Sequence, residues 1–492
     1  LNLFSSNVDL CLTCITPSMA ISAASFARIL SRYFPKGVPP TVVALSGGVD
    51  SMCLTHLLAQ HKTLYQPDLK LLAVTVDHGL RSESASEARA VAQETKKLGV
   101  DHQIATIPTP ESPAPNIEEW ARHKRLDLLL DAANSFYKNT DHGLTASQDS
   151  PQSPHIFLAH NLDEQLETFL LRLRNNSSLY GLGGMRPISY ALPSGNILGP
   201  SQAPVCLVRP LLEFSKQDIV ETCQENNILW FEDPTNKDTR LTERNSLRHI
   251  IHQVIPDLVH ERPELECLTY ASLCETHSKV SALNHYINAQ VSRLQKTLKA
   301  QDRLILDPSV ASLRMVLSYE EFESSSTEVL ARMLFFNLNP LSSSTHFHWK
   351  YLNLLKKLVP QIEKIYRTHK LNFSCSMTTV RLCSLNVDFD ITIDDASRAV
   401  VLRLSPQTPQ AHSICCHPQD INPGEWTLFD NRFWIRVSRQ IPSENNPYST
   451  HPQVQIEAYS PSKHIHDFKK VFPLFFHPSG GNIRLEPVIT IS

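Results

Sequence analysis

Three stretches of this chain set reactive residue types at spacings that chemistry can use. In the first, the apolar run Thr41–Leu45 leads into Ser46-Gly47-Gly48-Val49-Asp50-Ser51, and a helix-like segment follows from Met52. Two adjacent glycines let the backbone approach a phosphate closely. Ser46, Ser51 and the free N–H groups at the helix start can donate to an anion. The spacing and the lysine of a Walker loop are absent. In the second stretch, Val76-Asp77-His78-Gly79-Leu80-Arg81, a carboxylate and an imidazole end a strand. There Asp77 is placed to accept from a ribose or an adenine. In the third, His160-Asn161-Leu162-Asp163-Glu164-Gln165-Leu166-Glu167, the acids at 163 and 167 share one helix face and Glu164 lies beside them. The helix dipole favours anions in that first turn. Capping accounts for one acid, but three acids and a histidine make a cation site, for a metal or for the ammonium of an amine substrate.

Basic and glycine-rich stretches accompany these. Arg122 and Arg125 fall three apart within Asn116-Ile117-Glu118-Glu119-Trp120-Ala121-Arg122-His123-Lys124-Arg125, on one helix face. Such a pair can hold departing phosphates or an RNA backbone, or simply face solvent. Gly181-Leu182-Gly183-Gly184-Met185, Arg209-Pro210-Leu211-Leu212 before a helix opened by Ser215, Glu232-Asp233-Pro234-Thr235-Asn236, and Arg244-Asn245-x-x-Arg248 follow in order. None of them decides a function alone.

The elements that must position these residues are read from periodicity. Strands are expected at 41–45, 70–76, 102–107 and 155–159, and helices at 51–61, 84–98, 117–136, 162–174 and 215–226. Continuous apolar strands alternating with such helices predict a doubly wound parallel α/β sheet covered on both faces. Ligands bind such a sheet at the carboxyl ends of its strands, where the motifs lie. Residues 138–154 and 189–204 read as surface loops. Beyond 256, helices are expected at 265–298, 316–337 and 348–366. From 372, short strand-like segments such as 402–404 and 433–437 stand among many prolines. The expected organisation is an N-terminal extension or presequence at 1–23, a catalytic domain at 24–255, a helical domain at 256–371, and a small mixed α+β region at 372–492.

The 492 residues carry 46 Lys and Arg against 49 Asp and Glu, so a nucleic-acid partner would need locally clustered cations. Eleven irregularly spaced cysteines form no disulfide scaffold, and Cys11-x-x-Cys14 lacks a second pair. No apolar run reaches membrane-spanning length, so no membrane partner is expected. Residues 10–49 contain no acid and carry Arg28, Arg32 and Lys36 among serines. They read either as an organellar presequence or, through Phe26-Ala27-Arg28-Ile29-Leu30, as a first helix.

The first motif resembles the SGGxDS pyrophosphate loop of ATP pyrophosphatases that cleave between the α and β phosphates. The whole ordered series, SGGVDS, VDHGLR, NIEEWARHKR, AHNLDEQLETFLLRLR, GLGGM, RPLL, EDPTNKD and RNSLRH, resembles the tRNA(Ile)-lysidine synthetase family. The likeness is close over about 24–256, weak to about 370 and slight beyond. It implies an adenine-nucleotide α-hydrolase-like fold and a two-step ligation. ATP with Mg²⁺ adenylates carbon 2 of the wobble cytidine in a CAU-anticodon isoleucine tRNA, and free L-lysine then displaces AMP to give lysidine. The implied triphosphate and nucleotide residues are Ser46, Gly47, Gly48, Asp50, Ser51, Asp77 and His78, with Asp50 on the metal. The implied catalytic residues are Asp50, His160, Asp163, Glu164 and Glu167. Arg122, Arg125, Arg209, Arg244, Asn245 and Arg248 would contact tRNA. The family's usual second histidine is Asn161 here, and its second aspartate is Glu164. After Arg174 this chain has Asn175-Asn176-Ser177-Ser178 where the family has a basic residue and a glycine. Competing expectations are a tRNA thiolase, against which Cys53, Cys206 and Cys223 stand as isolated singles, and a tRNA-binding protein with an impaired site. An amidotransferase-coupled synthetase would need a glutaminase motif, which is not seen. The insertions and the N-terminus point to a mitochondrial or other organellar matrix, with the cytoplasm as alternative.

Overall fold

The computed structural model describes residues 19–77, 84–107, 117–140, 153–191, 205–231, 243–307, 312–338, 351–372, 378–382, 387–406, 426–429, 433–441 and 453–459. The Cys11-x-x-Cys14 spacing, residues 78–81 of the second motif, Asn116, residues 232–236 and much of both expected loops lie outside them. The chain divides into two compact units, residues 1–193 with 203–284, and residues 194–202 with 285–492.

The first unit is built on a six-stranded sheet. Its strands are β1 (Thr41–Ala44), β2 (Leu71–Asp77), β3 (Asp101–Thr106), β4 (His155–Phe157), β5 (Ile188–Ala191) and β6 (Val205–Val208), in the order β3-β2-β1-β4-β6-β5. All neighbours are parallel except β5 against β6. β1 is therefore central, as the motif order requires. Its side chains alternate between faces. Val43 joins one core with Phe26 and Leu30 of α1 (Ala23–Tyr33), Leu54 and Leu58 of α2 (Val49–Leu64), and Val91 of α3 (Ser84–Lys97). Val42 joins the other core with Leu129, Leu130 and Ala133 of α4 (Ile117–Lys138). Each fully buried Leu or Phe contributes about 1.5–3 kcal/mol, so two such layers are ample to fix the sheet.

Residues 23–33 form a docked helix, capped by Ser22, whose Phe26 and Leu30 are buried. This is the first-helix alternative for that stretch. Two further helices carry the site. α5 (Leu162–Arg174) starts on a capping box in which the Asn161 side chain accepts from the Glu164 N–H. α6 (Lys216–Glu225) starts on the equivalent box of Ser215 and Asp218. α7 (Glu243–His249), a π turn (Ile250–Val254) and α8 (Ile255–Glu261) follow, then α9 (Tyr270–Ala300).

In the second unit the expected helix at 316–337 is not continuous. Its beginning belongs to a strand, β8 (Ser312–Ser318), and helices α10 (Tyr319–Ser324) and α11 (Thr327–Leu338) come after. Leu313, Met315 and Leu317 are buried and alternate with less buried neighbours, the two-residue period of a strand. β8 sits in a five-stranded antiparallel sheet, β7-β8-β11-β10-β9, with β7 (Leu304–Asp307), β9 (Thr378–Leu382), β10 (Val387–Asp394) and β11 (Ala399–Pro406). Of the expected helix at 348–366, residues 348–350 lie outside the described residues, and the rest is helical and runs to Asn372. A three-stranded antiparallel sheet, 426–429, 433–441 and 453–459, completes the unit.

Candidate active site

The loop 46–51 leaves the carboxyl end of β1 and enters α2. Gly47 has φ +86°, and a Cβ there would stand 2.6 Å from Val91 Cγ2. Its carbonyl accepts from the Phe231 N–H at 3.0 Å. The first glycine is thus demanded by the fold. Gly48 is different: its φ is −70°, and a Cβ would meet nothing nearer than Ser46 Oγ at 3.7 Å. It caps α2 with no side-chain hydrogen bond, leaving the helix start open to an incoming anion. Ser51 is buried and braces the turn, donating to the Gly48 carbonyl at 3.0 Å and accepting from the Ser46 N–H at 3.2 Å. The Ser46 side chain is exposed.

Asp50, in the first turn of α2, joins three motifs. Its Oδ1 accepts from Asn161 Nδ2 at 2.9 Å, and its Oδ2 lies 2.6 Å from Lys216 Nζ. Asn161 opens α5 and Lys216 opens α6, so the loop and both helix starts meet at one carboxylate. The lysine side chain is 45% exposed, and an ion pair that open is worth about 0–1 kcal/mol. An ammonium at this distance marks the Asp50 carboxylate as a cation position.

The three acids of α5 have different surroundings. Asp163 is buried and fully engaged. It accepts from the Lys216 N–H at 2.7 Å and the Tyr270 hydroxyl at 3.2 Å, and His252 Nε2 lies 3.0 Å away. Burial pushes its carboxyl up, but these donors outweigh burial and hold it below the ordinary range. Glu167 is also buried and takes both Nε and a terminal nitrogen of Arg248 on Oε1, at 2.9 and 2.7 Å. Its Oε2 has no hydrogen-bond partner among the described residues, and Arg244 stands 3.8 Å from it. Burial raises this carboxyl despite the two arginines. Glu164 is pushed furthest, to about 7, first by burial and then by the charges of Asp50 and Glu167.

His160 ends the β4 segment. Burial, then the charges of Arg209, Arg244 and Arg122, push its imidazole down to about 4, so it is neutral at physiological pH. The three guanidiniums whose charge His160 feels come from the end of β6, from α7 and from α4. His160 Nδ1 and Arg209 Nε are buried without hydrogen-bond partners among the described residues. Arg209 is anchored through one terminal nitrogen, which donates to the Arg186 carbonyl and to the Ser189 hydroxyl. Arg122 and Arg125 are exposed on α4. Asn245 and Arg248 lie on α7, and Arg248 is committed to Glu167. Asp77 closes β2 on the same edge of the sheet as Ser46.

The glycine-rich turn serves the fold. Gln165 bonds both backbone groups of Met185, Arg172 donates to the Gly181 and Gly184 carbonyls, and Asn284 donates to the Leu179 carbonyl. A Cβ on Gly184, at φ +73°, would stand 2.6 Å from Gln165 Oε1.

Lys216, His252 and Tyr270 are site residues that the motifs did not single out. Only Lys216 had a signal, its place behind Ser215 at a helix start. The cysteines also need correction. Cys53 and Cys223 are not isolated, because they meet in the core between α2 and α6, and the adjoining Cys223 thiol together with burial pushes the Cys53 thiol up. The Cys53 thiol so held is a poor nucleophile, whereas its hydrogen bond holds the Cys223 thiol down. Among the described residues no group of three or more His, Cys, Asp or Glu forms a metal cage. No helix there is long and apolar enough to cross a membrane.

The PP-loop domain family model matches residues 21–257. A tRNA(Ile)-lysidine synthase of Bradyrhizobium sp. is 36% identical over 46% of this chain and 54% of its own length. One of Methylobacterium nodulans is 37% identical over 46% of the chain and 58% of its own. A probable tRNA(Ile)-lysidine synthase of Schizosaccharomyces pombe is 25% identical over 80% of the chain and 77% of its own. The chain thus spans little more than half the length of the two bacterial relatives.

Proposed function

We propose that this chain, whose residues 21–257 are a PP-loop domain and which is similar to tRNA(Ile)-lysidine synthases, is an ATP-dependent ligase that makes lysidine. The observation that carries this is the convergence on Asp50 of the phosphate-type loop and the start of the acidic helix. Adenylation and amine transfer act in turn on one C2–O2 group, that of the wobble cytidine in a CAU-anticodon isoleucine tRNA: the first on O2, the second on C2. Their two half-sites must therefore adjoin.

In the first half-reaction the cytidine O2 attacks the α phosphate of ATP and pyrophosphate leaves. Gly48 and the N–H groups at the start of α2 receive the triphosphate, with Ser46 beside them. Asp77 faces the nucleoside. Arg209, Arg244 and Arg122 stabilise charge developing on the phosphates and hold RNA. Arg125 and Asn245 extend that surface. Asp50 suits Mg²⁺, which binds through one or two carboxylates and substrate phosphates rather than a full protein cage, and which would neutralise triphosphate charge.

In the second half-reaction a lysine amine attacks C2, and AMP leaves carrying the former O2. The amine must shed a proton. Glu164, near neutrality in its affinity for protons, is suited to take it. Glu167, whose buried Oε2 lacks a hydrogen-bond partner among the described residues, supplies negative charge for an ammonium group, while Asp163 braces α5 against α6 and α9. His160 stays neutral beside the reacting base. The chain beyond 256 positions tRNA, and the setting is an organellar matrix, with the cytoplasm as the alternative.

Pyrophosphate release tests this. Release should require the isoleucine tRNA but not lysine, and nucleoside analysis should show lysidine only when lysine is added. Release without tRNA, or a thiolated product, would refute the assignment. The Glu167→Gln variant should raise the lysine requirement while adenylation continues.

A further inference from the structure

The ammonium of Lys216 takes no part in the half-reactions above, yet it occupies the position on Asp50 that the assignment gives to a metal. Lys216 Nζ lies 2.6 Å from Asp50 Oδ2. The backbone N–H of the same residue donates to Asp163 Oδ2 at 2.7 Å. The main chain of Lys216 is thus fixed by a buried acid, and by the first turn of α6 that Ser215 and Asp218 cap. Its side chain alone is free to move, being four methylenes long and about half exposed. Asp50 keeps its second anchor, Asn161, on the other oxygen. One oxygen is therefore structural and the other carries an exchangeable cation.

We propose that Lys216 is the resident counter-cation of the triphosphate site. With the site free of nucleotide, its ammonium neutralises Asp50 and keeps the loop from binding a divalent cation alone. When nucleotide and metal arrive together, the metal takes Asp50, and the released ammonium pairs with a phosphate oxygen within its reach. The exchange keeps every charge paired, since one cation leaves the carboxylate as another arrives and the freed one meets the new anion. The exposed pair is weak enough to yield, and a fully buried one would not be. Lys216 is on this account a positioning residue that makes loading depend on metal and triphosphate together. The proposal rests on assigning Asp50 to an ATP–metal site.

The test is binding, with neither tRNA nor lysine present. Mn²⁺ alone is titrated by electron paramagnetic resonance, and ATP with Mg²⁺ by calorimetry, on the wild type, Lys216→Gln, Lys216→Ala and Asp50→Asn. Thermal melts confirm that each variant is folded. The two lysine variants should bind Mn²⁺ about fivefold more tightly than the wild type, the worth of an exposed ion pair. They should bind ATP with Mg²⁺ about tenfold less tightly, for the lost charge-assisted phosphate contact. Any other combination, including movement of both affinities in one direction or of neither, overturns the proposal. Asp50→Asn separates this from failure of the underlying assignment: if it leaves ATP–Mg²⁺ binding intact, Asp50 is no nucleotide site at all.

Discussion

Asn161 Nδ2 donates to Asp50 Oδ1 across 2.9 Å, while Asn161 Oδ1 accepts from the Glu164 N–H at 3.0 Å. One buried amide thus caps α5 and orients the loop carboxylate. An amide supplies a donor and an acceptor at once and does not titrate, which is how one asparagine serves both the helix start and the loop. Asn161→Ala should cost about 1–2 kcal/mol of stability through the lost cap. Asn161→Asp keeps the cap but sets a second carboxylate against Asp50. Its melting temperature should fall and be restored by millimolar divalent cation, because a ligand that binds only the folded state stabilises it. Differential scanning fluorimetry with and without Mg²⁺ checks both, and an Asn161→Asp protein indifferent to the cation would count against a cation position at Asp50.

The two loop glycines should respond differently to alanine. At Gly47 the backbone has φ +86° and Val91 blocks the new methyl, so Gly47→Ala should destabilise the domain by about 1–3 kcal/mol. Gly48→Ala has ordinary backbone angles and open space, and should melt within about 1 kcal/mol of the wild type. It should nevertheless lose ATP affinity, because the methyl occupies the space a phosphate approaches. Chemical denaturation and nucleotide titration on both variants separate the effects. Equal loss of stability at both positions would mean that neither glycine is there for a ligand.

The first unit was legible because its strands are apolar runs and its turns carry motifs. Thr41–Leu45 could scarcely be anything but a buried strand, and Asn161 and Ser215 announce helix starts. The antiparallel β5 was not legible, because Ile188–Ala191 opens a stretch that composition marks as loop. The strand at 312–318 was hidden since the helix behind it extends the same apolar density, and only the alternation of Leu313, Met315 and Leu317 betrays it. His252 and Tyr270 were missed for another reason. They reach Asp163 from 89 and 107 residues away, His252 from the π turn and Tyr270 from the first residue of α9. Tertiary partners of that kind leave no local spacing to read.

The pair of Glu167 and Arg248 should matter more to folding than an ordinary surface pair. The carboxylate side chain is 2% exposed, so removing its partner strands a buried charge. Arg248→Ala should cost about 1–3 kcal/mol, moderated by Arg244 at 3.8 Å. In the double variant with Glu167→Gln most of that cost should disappear, because the neutral amide needs no counter-ion. A double-mutant cycle from urea melts measures the coupling. Strict additivity would show that the two side chains do not share an electrostatic site.

Glu164 should leave a signature in pH. Its carboxyl stands at about 7 in the folded chain, against 4.5 ordinarily. Between those values the folded state holds a proton that the unfolded state has released. Its contribution is therefore fully present below about pH 4.5 and is lost as pH rises through 7. Glu164→Gln cannot make that loss and retains a side chain able to complete the capping box. The variant's melting temperature, relative to the wild type, should accordingly rise from pH 5 to pH 8. Catalysis should move the other way. Only the ionised carboxylate can take a proton from the lysine amine, so single-turnover transfer by the wild type should climb through pH 7 and then level. Glu164→Gln should transfer slowly at every pH while still releasing pyrophosphate. If transfer kept its wild-type rise through pH 7 in the variant, the proton would be going to another group, and Glu164 would be left with its role at the helix start alone.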